Sequence, residues 1–300
     1  MDKLVFLKTR SEYEKKFSSR TKCAAFLAKL RWGAGWACPS CSGTKFWRRS
    51  MSSRQCKQCR RVHTVTSGTI FHRSRHPLKT WFDVAWQVCE PKIGISALTL
   101  QRAMDFGSFH TAWEWSHRMR RLMVIDGRAK LSGTVEVDEA FIGGVKPGIR
   151  GRGAIGKAKV FVAAEDRGAA IGRIRLLLIP DTQASTLLAA VDDLIDVGSH
   201  VVSDGYSGYQ ALSMHGYMHT VATAATMGKN VVPKAHRVIA LLKRWLLGTH
   251  QGAVNHDRLQ SYLDEFVFRF NRRAAKSRGL LFHRLMEQAA KSVPIKGAML

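Results

Sequence analysis

Four cysteines stand in two C-x-x-C pairs, Cys38 and Cys41 in CPSC, then Cys56 and Cys59 in CKQC, with fourteen residues between the pairs. A C-x-x-C step forms a tight knuckle that turns two thiolates toward one point. Two knuckles at this separation supply the corners of one tetrahedral Zn²⁺ site, and the insert can form the short hairpin of a zinc ribbon. That insert is basic and aromatic, with Trp47, Arg48 and Arg49 at its centre, as a nucleic-acid-facing ribbon would be. The competing reading is two disulfides or a redox pair. Disulfides fit poorly with an N-terminus that has no signal-peptide core, and a redox motif needs no second pair at ribbon spacing. Cys23 and Cys89 lie outside the pattern and read as small buried hydrophobes.

A second set of residues could do chemistry of another kind. Asp138 ends the alternating run TVEVD, and Asp204 ends the short apolar run HVVSD. If those runs are neighbouring strands, both carboxylates emerge at one edge of a sheet, where they can hold Mg²⁺ or Mn²⁺ through oxygen. Two such ions ~3.5–4 Å apart activate a water or a 3′-OH and stabilise the leaving oxygen of a phosphodiester. The plain alternative is that each is an ordinary turn acid, since Asp favours such sites. Glu139, the next residue, faces away from Asp138 if the strand alternates.

The elements that must position these groups follow from periodicity. Residues 12–36 read as a helical lead-in, and VHTVTSGTIF as the last ribbon strand. Pro77 opens a helix over LKTWFDVAWQVCE. A short helix from Ser96, a turn at 106–108 and a second helix over 109–123 make a helix-turn-helix. Its second helix offers Arg118, Arg120 and Arg121 to DNA; the competing account is a plain helical hairpin. Beyond residue 131 come three strands, a helix over STLLAAVDDLI, two more strands, and helices over HRVIALLKRWLL and LQSYLDEFVFRFNRR. That order is the order of a ribonuclease-H-like α/β fold. The expected organisation is a lead-in (1–36), a zinc ribbon (37–72), a helix-turn-helix region (73–130), a catalytic domain (131–290) and a tail (291–300).

Charge narrows the partners. The chain carries 48 Lys and Arg against 22 Asp and Glu, a formal charge of +26. Such a charge repels itself in a compact fold unless a polyanion is a normal partner, and DNA leads. No apolar run approaches the ~20 residues that span a bilayer, so no membrane partner is expected. The expected location is cytoplasmic and nucleoid-associated.

Three motifs in combination resemble the bacterial insertion-sequence DDE-type transposases that carry an N-terminal zinc ribbon. They are VEVDEAFIGG (135–144), SDGYSGY (203–209) and HRVIALLKRWLLGT (236–249), with YLDEFVFRFNRR (262–273) similar to that family's last helix. The resemblance implies a ribonuclease-H-like core, metal-dependent cleavage at transposon ends and strand transfer to target DNA. It places Asp138 and Asp204 at the first two metal-binding positions. The third, usually Glu and Asn in some members, lies seven residues before a family Lys; here that Lys is Lys243 and the third position is His236. An imidazole brings no negative charge and favours softer ions than Mg²⁺. Two accounts stay open: His236 is a working variant of the ligand, or this copy is impaired. Lys243 shares a helix face with His236 and is expected to contact DNA phosphate, with the basic loop 146–159 gripping DNA. Pairing two ends implies a homo-oligomer on DNA. A zinc-dependent DNA-binding regulator without catalysis, and a ribonuclease on hybrids, are the other readings.

Overall fold

The computed structural model describes residues 6–125, 127–143, 156–223, 225, 231–252 and 254–294. Residues 146–155 of the expected basic loop therefore lie outside the described residues. The chain divides into two compact units, one of Met1–Ile125 with Ala275–Leu300, the other of Asp126–Ala274.

The first unit opens with α1 (Arg10–Lys16) and α2 (Arg20–Trp32), two helices where the apolar spacing suggested one lead-in. The break is made by Ser19, whose side chain accepts from the Lys22 N–H and caps α2. Serine bonds nearby backbone in preference to continuing a helix, so local capping overrode the apolar period. The ribbon strands follow: β1 (Phe46–Ser50), β2 (Ser53–Cys56) and β3 (Val62–Thr64), antiparallel in that order. The last is three residues long, shorter than the alternation implied. Hydroxyls end it, because Ser67 Oγ accepts from the Thr64 N–H and Thr69 Oγ donates to the Thr66 carbonyl.

Helices α3 (Leu78–Cys89), α4 (Ala97–Met104) and α5 (Phe109–Arg121) complete the sequential part of the unit. Ser96 and Ser108 cap α4 and α5, as the spacing predicted for the first. A last helix, which we label α9 (Gly279–Lys291), packs on α2 and α3. The sequence had assigned it to the catalytic domain through residue 290. Its apolar face instead joins an aromatic core: Phe282 lies 5.7 Å from Tyr13 and 5.5 Å from Phe17, and Tyr13 stacks on Trp86 at 4.7 Å. Gly279 makes the docking possible, since an added Cβ would sit 2.3 Å from the Leu7 carbonyl oxygen.

The second unit is an α/β fold around a five-stranded sheet. In chain order it has β4 (Thr134–Ile142), β5 (Ala158–Arg167), β6 (Ala170–Ile179), α6 (Ala184–Leu194), β7 (His200–Ser203), β8 (Met218–Val221), α7 (Pro233–His250) and α8 (Leu259–Phe270). The sheet order is β6-β5-β4-β7-β8. β4, β5 and β6 form an antiparallel meander, while β7 joins β4 in parallel and β8 joins β7 in parallel. This is the ribonuclease-H-like arrangement that the element order predicted. Alternation sends Val135 and Val137 to a core with α6 and Tyr209, and Ala140 to a core with α7 and α8. Among the described residues no helix is long and apolar enough to cross a membrane.

Candidate active site and zinc centre

Each cysteine knuckle folds the same way. The residue after the second cysteine, Ser42 or Arg60, takes a left-handed backbone (φ 58° and 61°), and its N–H bonds the carbonyl of the first cysteine at 2.8 and 3.1 Å. The four ligand sulfurs all lie within 4.8 Å of one another; Cys38 is 3.6 Å from Cys59, and Cys41 is 3.5 Å from Cys56. A tetrahedron with ~2.3 Å Zn–S bonds has edges of ~3.8 Å, so this sulfur set fits zinc and is too wide for disulfides. Burial pushes the Cys38 thiol up, but the N–H groups of Ser40 and Cys41 and the neighbouring Cys59 outweigh it and bring the thiol down to about 6. The sequence passed over His63, whose Nε2 lies 3.5 Å from the Cys38 sulfur. Arg31 on α2 donates to the carbonyls of Thr64, Val65 and Ser67 and so fixes the end of β3 to that helix.

The acidic site is built from β4, β7 and α7. In the parallel pair Val135 stands opposite Val201 and Glu136 opposite Val202. Asp138 lies two residues beyond that last pair, within β4 and not at its end as the sequence suggested, because β4 continues to Ile142 in pairing with β5; Asp204 directly follows the last residue of β7. The Asp138 carboxyl is pushed up to about 6, first by burial, with the Glu139 N–H and His236 pulling it down and the Glu139 and Asp204 carboxylates pushing it further up. The field of Asp204 at Asp138 is the electrostatic sign of their proximity. Asp138 Oδ1 accepts the Glu139 N–H at 2.7 Å, and its Oδ2 lies 3.2 Å from His236 Nε2. Asp204 Oδ1 accepts the Tyr206 N–H at 3.1 Å in the turn after β7. Gly208 keeps that turn tight, because an added Cβ would meet the Tyr206 ring at 2.6 Å and Leu187 at 2.8 Å.

His236 reaches Asp138 because of where α7 begins, and there the sequence reading missed a residue. Glu136, 4 % exposed, is two positions before Asp138 and on the same strand face. Its Oε2 accepts the N–H groups of Lys234 and Ala235 at 2.6 and 3.0 Å, satisfying two donors at the start of α7. Lys234 Nζ bonds Asp166 at 2.8 Å and stands 3.8 Å from Glu136. A carboxylate at a helix N-terminus is favoured by both hydrogen bonding and the helix dipole. Glu136→Ala is expected to cost about 2 kcal/mol, read by urea unfolding of the full chain, and Glu136→Gln roughly half of that. Equal stability of the alanine variant would show that the cap contributes nothing.

Along α7, His236 and Lys243 are exposed on one face, and Val238, Leu242, Trp245 and Leu246 are buried on the other, while Leu241, expected with them from the helix period, is only partly buried. Seven residues separate them by ~10.5 Å along the axis. Glu139 points to the opposite face of β4, where it is buried and accepts a hydrogen bond from the Tyr209 hydroxyl. Among the described residues only the four cysteines bring three or more candidate ligand atoms within 4.8 Å of one another; the Asp138, Asp204 and His236 site is more open.

The expected helix-turn-helix arginines fare unequally. Arg121 is exposed, and Arg118 is partly exposed and bonded to Glu114 at 3.2 Å. Arg120 is 3 % exposed, so it is withdrawn from any DNA-facing set. The α5 period turns that position inward, toward the side that buries Trp115 and Met119. Arg48 and Arg49 are both exposed on β1.

A family described as the ISXO2-like transposase domain matches residues 130–271, and the transposase zinc-ribbon domain matches residues 18–62. An "Uncharacterized protein in transposable element ISH50" from Halobacterium salinarum (strain ATCC 700922 / JCM 11081 / NRC-1) is 30% identical over 293 residues, covering 85% of this chain and 92% of the relative. The chain belongs to the ISXO2-like transposase family. The catalytic core domain of BIV integrase matches among solved structures at 19% identity and a TM-score of 0.30, over 44% of the transposase and 81% of that chain. The two family matches follow the transposase's own packing. The zinc-ribbon match takes in α2, which Arg31 ties to β3, and the transposase-domain match stops before α9.

Proposed function

We propose that this transposase binds the terminal repeats of its insertion sequence through the ribbon and α3–α5, and cuts and joins DNA at Asp138, Asp204 and His236. The observation that carries the reading is His236 Nε2 3.2 Å from Asp138 Oδ2, with the Asp204 carboxylate near enough to push the Asp138 carboxyl up. Two carboxylates and one imidazole fit Mg²⁺ or Mn²⁺, and the nitrogen tilts the choice toward Mn²⁺. Bound divalent ions supply the charge neutralisation that phosphoryl transfer requires. The chain's own part is placement. The parallel pairing of β4 and β7 carries the two aspartates on neighbouring strands, and the Glu136 cap holds the α7 start so that His236 faces Asp138. Lys243, two turns further along the exposed face, is set to hold a backbone phosphate beside the reacting one.

The test uses duplexes that carry the element's ends, with Mg²⁺ or Mn²⁺. The native protein is expected to nick and join them. Asp204→Ala is expected to lose joining by at least a thousandfold, of the order seen when transition-state electrostatics are removed, with end binding unchanged within about twofold. Joining by the alanine variant would remove Asp204 from the chemistry. Binding without cutting by the native protein in either metal would favour a non-catalytic regulator.

A further inference from the structure

The arginines chosen from sequence on β1 do not describe the ribbon's surface fully. Trp47 on β1 stands opposite Gln55 on β2, and Gln55 stands opposite Val62 on β3, so the three share one sheet face. Trp47 is 38 % exposed and Val62 53 % exposed, so this face keeps an aromatic and an aliphatic side chain in solvent. Three cations border it. The Arg60 guanidinium lies 4.5 Å and the Lys57 ammonium 5.5 Å from the centre of the Trp47 ring. Arg49 Nε donates to Gln55 Oε1 at 2.8 Å, and Gln55 Nε2 donates in turn to the Arg60 carbonyl at 2.9 Å. Arg60 takes this place from a left-handed backbone, φ 61°, in the second cysteine knuckle. On the other face Arg54 is spent inward, 4.5 Å from the Trp32 ring centre and 4.1 Å from that of Phe46.

We infer that the Trp47–Gln55–Val62 face, with Arg49, Lys57 and Arg60 held around it, is a duplex-DNA backbone-binding surface. The inference rests on the DNA-binding reading above and locates it. Charge identifies the occupant: residues 15–82 contain sixteen Lys and Arg and no Asp or Glu, so no acid of this stretch competes for those cations. Guanidinium and ammonium groups steadied on an aromatic ring lose less freedom on meeting a phosphate than free side chains do. The exposed apolar atoms of Trp47 and Val62 suit deoxyribose edges between phosphates.

The experiment measures the affinity of the zinc-loaded full chain for end-bearing duplex between 50 and 200 mM salt, with zinc content checked for every variant. Arg60→Gly suits the left-handed position and, with Lys57→Ala, removes two cations without disturbing a cysteine. Each lost phosphate contact lowers the slope of log affinity against log salt by about 0.9, so the double variant is expected to lose about 1.8. Lys22→Ala, away from the face, is expected to leave the slope unchanged. Trp47→Ala removes the ring but no charge, so it is expected to weaken binding roughly two- to fivefold with the slope preserved. Native binding that persists, with full slope and affinity in the double variant, overturns this surface alone. A native protein that binds no duplex overturns the DNA-binding reading together with the surface.

Discussion

Asp138→Asn is expected to abolish strand joining and, in the same molecule, to raise the melting temperature of the metal-free protein at pH 8. Both effects come from one cause. The Asp138 carboxyl, 14 % exposed, is pushed up to about 6, chiefly by burial and with the Glu139 and Asp204 carboxylates adding to it. Its unfolded value is ~3.9, so the folded chain holds this proton more tightly than the unfolded one. Folding therefore gains from Asp138 when it is protonated, and that gain is lost as pH rises from about 4 through about 6. Above that window the ionised group costs about 3 kcal/mol, and asparagine, neutral and of the same shape, relieves the cost. The amide oxygen can still accept the Glu139 N–H. A melting temperature higher by roughly 5 °C at pH 8 is expected, with no difference below pH 4. Divalent ions reverse the order, because they stabilise the native site and have less to bind in the variant. A variant less stable than the native protein at pH 8 without metal would refute the account.

Removal of zinc is expected to have the other large effect. The ribbon sheet has strands of five, four and three residues, too small to bury a core that could hold it. Structural zinc contributes ~10–16 kcal/mol of binding energy in domains of this kind. Cys56→Ala, or chelation of the native protein, is expected to unfold residues 37–72 and to weaken end binding by at least a hundredfold. The second unit has its own core on both faces of its sheet and is expected to keep its far-ultraviolet helical and strand signal. Recovery of binding on adding Zn²⁺ back to the chelated protein completes the test. Full binding with chelator present and no zinc retained would show that the four sulfurs are not a structural metal site.

What could be read in the sequence was local, or repeated at a fixed spacing. The two C-x-x-C pairs gave the ribbon because the knuckle is a closed local geometry. The alternation in β4 and β5 gave strands, and the order of elements gave the sheet. Asp138 and Asp204 were legible because each follows a run of apolar strand residues, although Asp138 proved to lie within β4 and only Asp204 follows the end of its strand. His236 and Lys243 were identified by resemblance, and helix period then put both on the face away from Val238 and Leu242.

The remainder depended on distance through space. Glu136 reads as one more strand residue until its carboxylate is seen to cap a helix 98 residues later. Arg120 and Arg121 are adjacent in a basic run, yet one is buried and the other exposed, because a helix turns ~100° per residue. Helix α9 follows the second unit in sequence but packs in the first, where Tyr13, Phe17 and Phe82 leave an aromatic face for Phe282. Sequence by itself determined which groups this transposase carries and the elements that bear them. Tertiary structure alone decided which groups meet, since strand register and helix docking are set by the summed packing of cores that no local pattern encodes.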